Sequence, residues 1–238
     1  PGAEVSRNGI IYYISATDPL AYSALSDTFG VAVTFPAGDL TTSSVSNSGY
    51  SGGLPIDKWR LLAVPAVLST ATVAGVIGDE LGAQSSATWR IFRYDQNTST
   101  YKENPNNFTP GESYWIYQRV EDNLVLTAPG GETGSMDGTN LTIVPGWNLI
   151  SSPYPFPVDA ALNQTLFYGP VTYGVSGESW TDVQTELIPW SGYALYNRTA
   201  NNQTVTLNPI ASTSGTLART VQKEGWLMNL AVSAGVYA

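Results

Sequence analysis

Trp59-Arg-Leu-Leu-Ala-Val-Pro65 and Trp147-Asn-Leu-Ile-Ser-Ser-Pro153 share one plan: tryptophan, an apolar pair two and three positions on, and proline six residues after the tryptophan. A repeated opening fixes an architecture before any single strand is argued. Further along, Thr109-Pro-Gly-Glu-Ser-Tyr-Trp-Ile-Tyr-Gln118 aligns without a gap to Ile188-Pro-Trp-Ser-Gly-Tyr-Ala-Leu-Tyr-Asn197, so that Pro110, Tyr114 and Tyr117 match Pro189, Tyr193 and Tyr196. Leu124-Val-Leu126 and Val205-Thr-Leu207 follow, and each is closed by a proline, Pro129 or Pro209. A third opening, Glu224-Gly-Trp226-Leu-Met-Asn-Leu230, lacks the proline. It either begins another repeat, the reading we favour, or completes the sheet of the module before it.

Between these landmarks the residues read mainly as strands. The segments 59–64 and 113–117 are almost continuously apolar, the pattern of strands covered on both faces. Thr88-Trp-Arg-Ile-Phe-Arg-Tyr94 mixes arginine with aromatics, which puts Trp89, Ile91 and Arg93 on one face and Arg90, Phe92 and Tyr94 on the other. The turn Asp95–Ser99 then returns the chain through 100–103 as a hairpin. Val73, Val76, Ile77 and Leu81 recur at helical spacing, and the spacing predicts a short helix there, with 158–166 holding the same place in the second copy. The expected fold is all-β: N-terminal strands and a Ser/Gly-rich linker over 1–52, one β-sandwich-like module over 53–130, a second over 139–210, each with one short helix, and a partial third repeat or completing strand over 221–238. The opening strand, Ile10 to Ser15, reads as the end of a preceding immunoglobulin-like domain or as an added strand for the first module.

Composition narrows the function. Of 238 residues 42% are hydrophobic, enough to build a core, while only 12% are charged, and Thr, Ser, Asn and Gly fill the polar positions. A net charge of -9 opposes binding to nucleic acid, whose affinity comes largely from Lys and Arg displacing counterions. No apolar run approaches the roughly 18 residues that cross a bilayer, so membrane insertion is not expected. With no His and no Cys, the Ser-His-Asp and Cys-His arrangements and the common zinc and copper ligand sets cannot be assembled. Asp79, Glu80, Glu112, Glu178, Asp182 and Glu186 are the carboxylates a glycosidase pair would draw on, but their settings are turns and loop edges, and no enzyme activity is expected. Calcium is the one metal weighed, at Asp95-Gln-Asn97-Thr-Ser99, where the hairpin turn is the better explanation. No cofactor is expected.

Among the tryptophans, Trp59, Trp147 and Trp226 recur at strand openings, which argues for core packing. Trp180 and Trp190 break the repeat, Trp190 standing where the first copy has Gly111, and they are the candidates for stacking on glycan rings. Asn97, Asn107, Asn140, Asn163, Asn197 and Asn202 satisfy the N-glycosylation pattern, which a chain rich in Asn and Thr also produces by chance. Ile10, Ile11, Tyr12, Tyr13 and Ile14 form the segment expected to pair outside its own module by strand addition.

The phrases KWRLLAVP (58–65), TWRIFRYD (88–95), TPGESYWIY (109–117) and GWNLISSPYPFPV (146–158) resemble a β module that recurs in very large secreted and cell-surface proteins of environmental bacteria, including those exported by the type IX route. NGIIYYISATDP (8–19) is similar to the last strand of the immunoglobulin-like domains that often precede it. The resemblance implies a β-sandwich and an extracellular or cell-surface location. It names no activity. The expected function is a structural or adhesive module of a surface layer or fibre, with copies of itself or neighbouring domains as partners. The alternative is a carbohydrate-binding module that meets surface glycans through exposed tryptophans.

Overall fold

Two strands with tryptophan at their first or second position, Trp59–Leu62 and Gly146–Ile150, take the same place in two antiparallel sheets. The computed structural model describes residues 10–17, 19–27, 29–31, 34–35, 38, 40–42, 48–135, 137–160, 162–174 and 177–209. The third opening at 224–230, Trp226 and the segment 221–238 lie outside the described residues. In the first sheet the order is Thr100–Glu103, Trp89–Asp95, Tyr114–Gln118, Trp59–Leu62. In the second it is Phe167–Val171, Tyr193–Asn197, Gly146–Ile150. Trp59 pairs with Tyr117, and Trp147 pairs with Tyr196, the residues that the gapless alignment equates.

Each sheet packs its inner face on smaller strand pairs. In the first unit Leu62, Ile91, Tyr114 and Ile116 meet Leu40, Leu126 and Ala128 and the buried face of helix α1, Val73–Leu81. Val73, Val76, Ile77 and Leu81 are the buried residues of α1, as their spacing predicts. Thr72 caps its N-terminus by accepting from the Gly75 amide, and Gly82, with φ +68, ends it. In the second unit Ile150, Phe167, Tyr193 and Leu195 meet Leu141, Ile143, Val205 and Leu207 of the ribbon Thr139–Ile143 with Gln203–Leu207. The result is a β-sandwich-like, all-β arrangement.

Two expectations are corrected. The second copy has no helix among the described residues of 158–166: Val158–Asp159 pairs with Glu186–Leu187, the Ala160 amide donates to Thr185, and strand hydrogen bonds replace the helical ones. Residues 1–52 are not wholly separate from the first module either. Thr34–Phe35 and Leu40–Thr41 pair with Gly131–Glu132 and Thr127–Ala128, and Tyr50, at the expected linker, is buried with its hydroxyl donating to the Leu61 carbonyl at 2.8 Å. Nearer the N-terminus, Ile10–Tyr12 pairs with Phe29–Val31, and Ser15–Thr17 pairs with Ser23–Leu25.

The two sheets are joined by reciprocal contacts. The Ala63 amide donates to the Trp190 carbonyl at 2.9 Å and the Gly192 amide to Leu61 at 2.8 Å. The Ser151 amide donates to the Gly111 carbonyl at 2.8 Å and the Ser113 amide to Leu149 at 3.4 Å. Gly111 and Trp190 are aligned positions, as are Leu61 and Leu149, so each unit offers the other the same backbone groups. Both Gly111 (φ +83) and Trp190 (φ +68) adopt the left-handed conformation that this crossing requires.

Candidate functional site: an aromatic trough over both sheets

Strand alternation decides where the aromatics go. Leu62 must enter the first core, so Trp59 and Leu61, odd in the pleat, face outward. The same parity puts Tyr114 and Ile116 in the core and Trp115 and Tyr117 outside, and Trp89 and Ile91 inside with Arg90, Phe92 and Tyr94 outside. The outward faces meet at a third apolar cluster, Leu61, Leu149, Val171 and Ala194, on which Tyr94, Trp115 and Tyr173 rest.

Above that cluster lie two adjoining cavities. The first, about 460 Å³, is lined by Trp59, Phe92, Tyr101, Trp115, Tyr173 and Trp180. The second, about 450 Å³, is lined by Tyr94, Tyr101, Trp147, Leu149, Tyr168, Val171, Trp180 and Ala194. They share Tyr101 and Trp180. Within the first, the Trp59 ring stands 5.7 Å from Phe92 and 6.4 Å from Trp115, and Trp115 meets Trp180 edge-on at 5.8 Å. In the second, Trp147 lies 6.1 Å from Tyr168 and, behind it, 5.1 Å from Tyr196. Trp59 and Tyr117 make the equivalent pair at 5.2 Å.

Trp180 is held by a bridge to Tyr173. The Thr181 amide donates to Thr172 and the Gly174 amide to Ser179. Gly174, with φ +81, lets the chain pass where a Cβ would lie 2.4 Å from the Arg60 guanidinium. Trp180 itself remains 48% exposed, and Trp147 is 42% exposed. Large exposed aromatic surface of this kind marks a site of contact.

The floor is apolar and its flanks carry ion pairs. Glu178 accepts from Arg60 at 3.0 and 3.2 Å and lies 3.5 Å from Lys58. Partial desolvation pushes the Glu178 carboxyl up, but the bonds from Arg60 and Lys58 outweigh it and hold it below the usual carboxylate range. Arg90 bonds Glu103 at 2.7 Å, holding that carboxyl down, and lies over the Phe92 ring. Lys102 pairs with Asp95, likewise depressing it, next to Tyr101.

The sequence candidates scatter. Trp180 is in the trough. Trp190 is not: it is 0% exposed in the first unit's core, its indole N–H donating to the Thr41 carbonyl at 3.2 Å, so it cannot stack on a ligand. Trp59 and Trp147, expected in the core, line the two cavities instead, because the pleat gave the core positions to Leu62 and Ile150. Tyr101 and Tyr173 carried no sequence signal of their own, and Trp115 none beyond being one of seven tryptophans; the alternation that puts Phe92 and Tyr94 on one face is the signal for this surface.

Of the glycosylation candidates, Asn97, Asn107, Asn140, Asn163 and Asn202 are exposed. Asn197 is 1% exposed with its amide donating to Ile143 and Asn201 and its oxygen accepting from Thr199, which leaves no room for a glycan on the folded chain. The Asp95 carboxylate accepts the Asn97 amide and pairs with Lys102, so it is engaged as a turn former. Among the described residues no group of three His, Cys, Asp or Glu side chains gathers to hold a metal. Glu112 is clamped by Arg93 through two bonds of 2.7 Å. Glu80 accepts the Thr127 amide at 2.7 Å while its second oxygen is buried without a partner. Comparison of the chain with protein-family models, curated proteins and solved structures finds no match. Among the described residues no helix is long and apolar enough to cross a membrane.

Proposed function

We propose that this chain is a non-catalytic, glycan-binding β module of a secreted or cell-surface bacterial protein. The reading rests on one observation: two contiguous cavities whose walls are mostly aromatic, opening between half-exposed tryptophans and flanked by fixed ion pairs. Aromatic faces cover the C–H faces of sugar rings, while charged and amide groups at the rim meet the hydroxyls. A site that is apolar with a few placed polar groups is the general form of a small-ligand site. The absence of His and Cys from the sequence and the engagement of Glu112 and Glu178 by arginines support a binding role without chemistry. A glycan array followed by calorimetry on the best hit tests it. Trp180→Ala is expected to weaken binding about tenfold or more, about 1.4 kcal/mol. Binding to no glycan, or binding indifferent to Trp180→Ala, refutes the proposal.

A second reading, surface assembly by strand contacts, is favoured by residues 10–31. Their described residues form two short antiparallel pairs, Ile10–Tyr12 with Phe29–Val31 and Ser15–Thr17 with Ser23–Leu25, whose strands carry no charged side chain, and Tyr13 is 62% exposed. One edge strand of each sheet is guarded instead, Thr100–Glu103 by Lys102 and Glu103 and Phe167–Val171 by Pro170. A lone hairpin is marginal in water, and pairing with another copy would stabilise it. On this reading, removal of 10–31 abolishes any self-association seen by sedimentation; association unchanged by the deletion rules it out.

A further inference from the structure

We infer that the trough is a double site that takes one linear, uncharged oligosaccharide across both cavities, with Trp180 and Tyr101 as the shared wall. The inference rests on the glycan reading and adds the ligand's shape and charge.

Shape follows from the way the two halves are built. Each half has a strand-leading tryptophan as its outer wall, Trp59 in the first and Trp147 in the second, and each tryptophan is backed by the tyrosine directly opposite on the neighbouring strand. The halves are therefore two versions of one arrangement, brought side by side by the reciprocal backbone contacts around Gly111 and Trp190. Their volumes, about 460 and 450 Å³, are nearly equal, and Tyr101 and Trp180 line both. A ligand confined to one half leaves the other half's aromatic surface in water. A chain long enough to reach across covers both, and the second contact is then intramolecular, so affinity rises steeply with length.

Charge follows from the flanks. Lys58 and Arg60 are bonded to Glu178, Arg90 to Glu103 and Lys102 to Asp95, so the cations around the first half already face carboxylates. On the second side Arg198 lies over the Tyr168 ring, 5.9 Å from its centre. The chain carries nine net negative charges, which repel uronic or sulfated glycans. A neutral chain pays no such penalty.

The test is calorimetry with cello-, manno- and chito-oligosaccharides as dimers, tetramers and hexamers, beside oligogalacturonates of the same lengths. The best neutral series is expected to gain about tenfold or more in affinity from dimer to hexamer, and the acidic series to bind more weakly. Trp147→Ala removes the gain with length, Trp59→Phe weakens the dimer, and Trp180→Ala lowers the affinity of dimer and hexamer alike. Melting temperatures of the variants establish that each remains folded, and the Trp147→Phe variant, expected to lose only part of the gain, serves if Trp147→Ala does not. If hexamer and dimer bind equally while binding still depends on Trp180, the double site is overturned and the glycan reading survives. Tighter binding of the acidic series overturns the uncharged ligand. If no sugar binds, both fall.

Discussion

Replacing Trp190 by alanine and by glycine separates two effects that the structure superimposes at this position. The indole is fully buried among Leu40, Leu62, Tyr114 and Leu126, residues of the other unit, so truncation opens a cavity across the junction. Loss of a buried tryptophan costs about 3–5 kcal/mol, and the lost bond to Thr41 adds about 0.5–1.5 kcal/mol. The backbone, at φ +68, is strained for any residue with a Cβ, and alanine keeps that strain whereas glycine relieves about 1 kcal/mol of it. Trp190→Ala, at a total of about 3.5–6.5 kcal/mol, should therefore lower the melting temperature by roughly 7–26 °C, at about 2–4 °C per kcal/mol for a chain of this size. Trp190→Gly should be less damaging than Trp190→Ala, the reverse of the usual order in a strand. Thermal unfolding followed by near-ultraviolet circular dichroism reads both. A shift under about 2 °C, or glycine clearly worse than alanine, would refute the account of Trp190 as a core residue held in a left-handed turn.

Burial, reinforced by the neighbouring Asp79 carboxyl, raises the Glu80 carboxyl to about 7 from 4.5. The folded chain thus holds this proton more tightly than the unfolded chain. The resulting stabilisation is complete below about pH 4.5 and is lost as pH rises through about 7. Discounted for its partial exposure, the loss is about 1–2 kcal/mol, and urea titrations across that range should find it absent in Glu80→Gln; an unchanged pH slope would count against it. At the junction, a Cβ on Gly192 would lie 2.4 Å from Ser113 Cβ and 3.0 Å from Leu61 Cβ, so Gly192→Ala should cost about 1–3 kcal/mol in the urea midpoint. Gly52→Ala, with nothing within 4 Å, is the matched control and should leave the midpoint unchanged.

The all-β class, the hairpin at 89–103, the helix at 73–81 and the equivalence of the two tryptophan-led strands were all legible in the residues alone. Each depends on local periodicity, β propensity or a repeated phrase, and those travel with the chain wherever it folds. The trough was legible only in part. Alternation on 88–94 put Phe92 and Tyr94 on one face, but in Trp59-Arg-Leu-Leu-Ala-Val64 both parities are apolar and periodicity could not say which faced a core.

What only the tertiary structure decided was the assignment of tryptophans to surface or interior. Trp190 looked like an exposed departure from the repeat, yet packing of one unit on the other drew it into a core that its own unit does not possess. Trp59 and Trp147 looked structural because they repeat, yet the pleat gave the interior to their neighbours Leu62 and Ile150 and left the indoles on a face shared by both sheets. An aromatic side chain gains free energy from burial against any apolar surface, so its identity carries no address. The partner surface supplies that address, and here it comes from residues far along the chain.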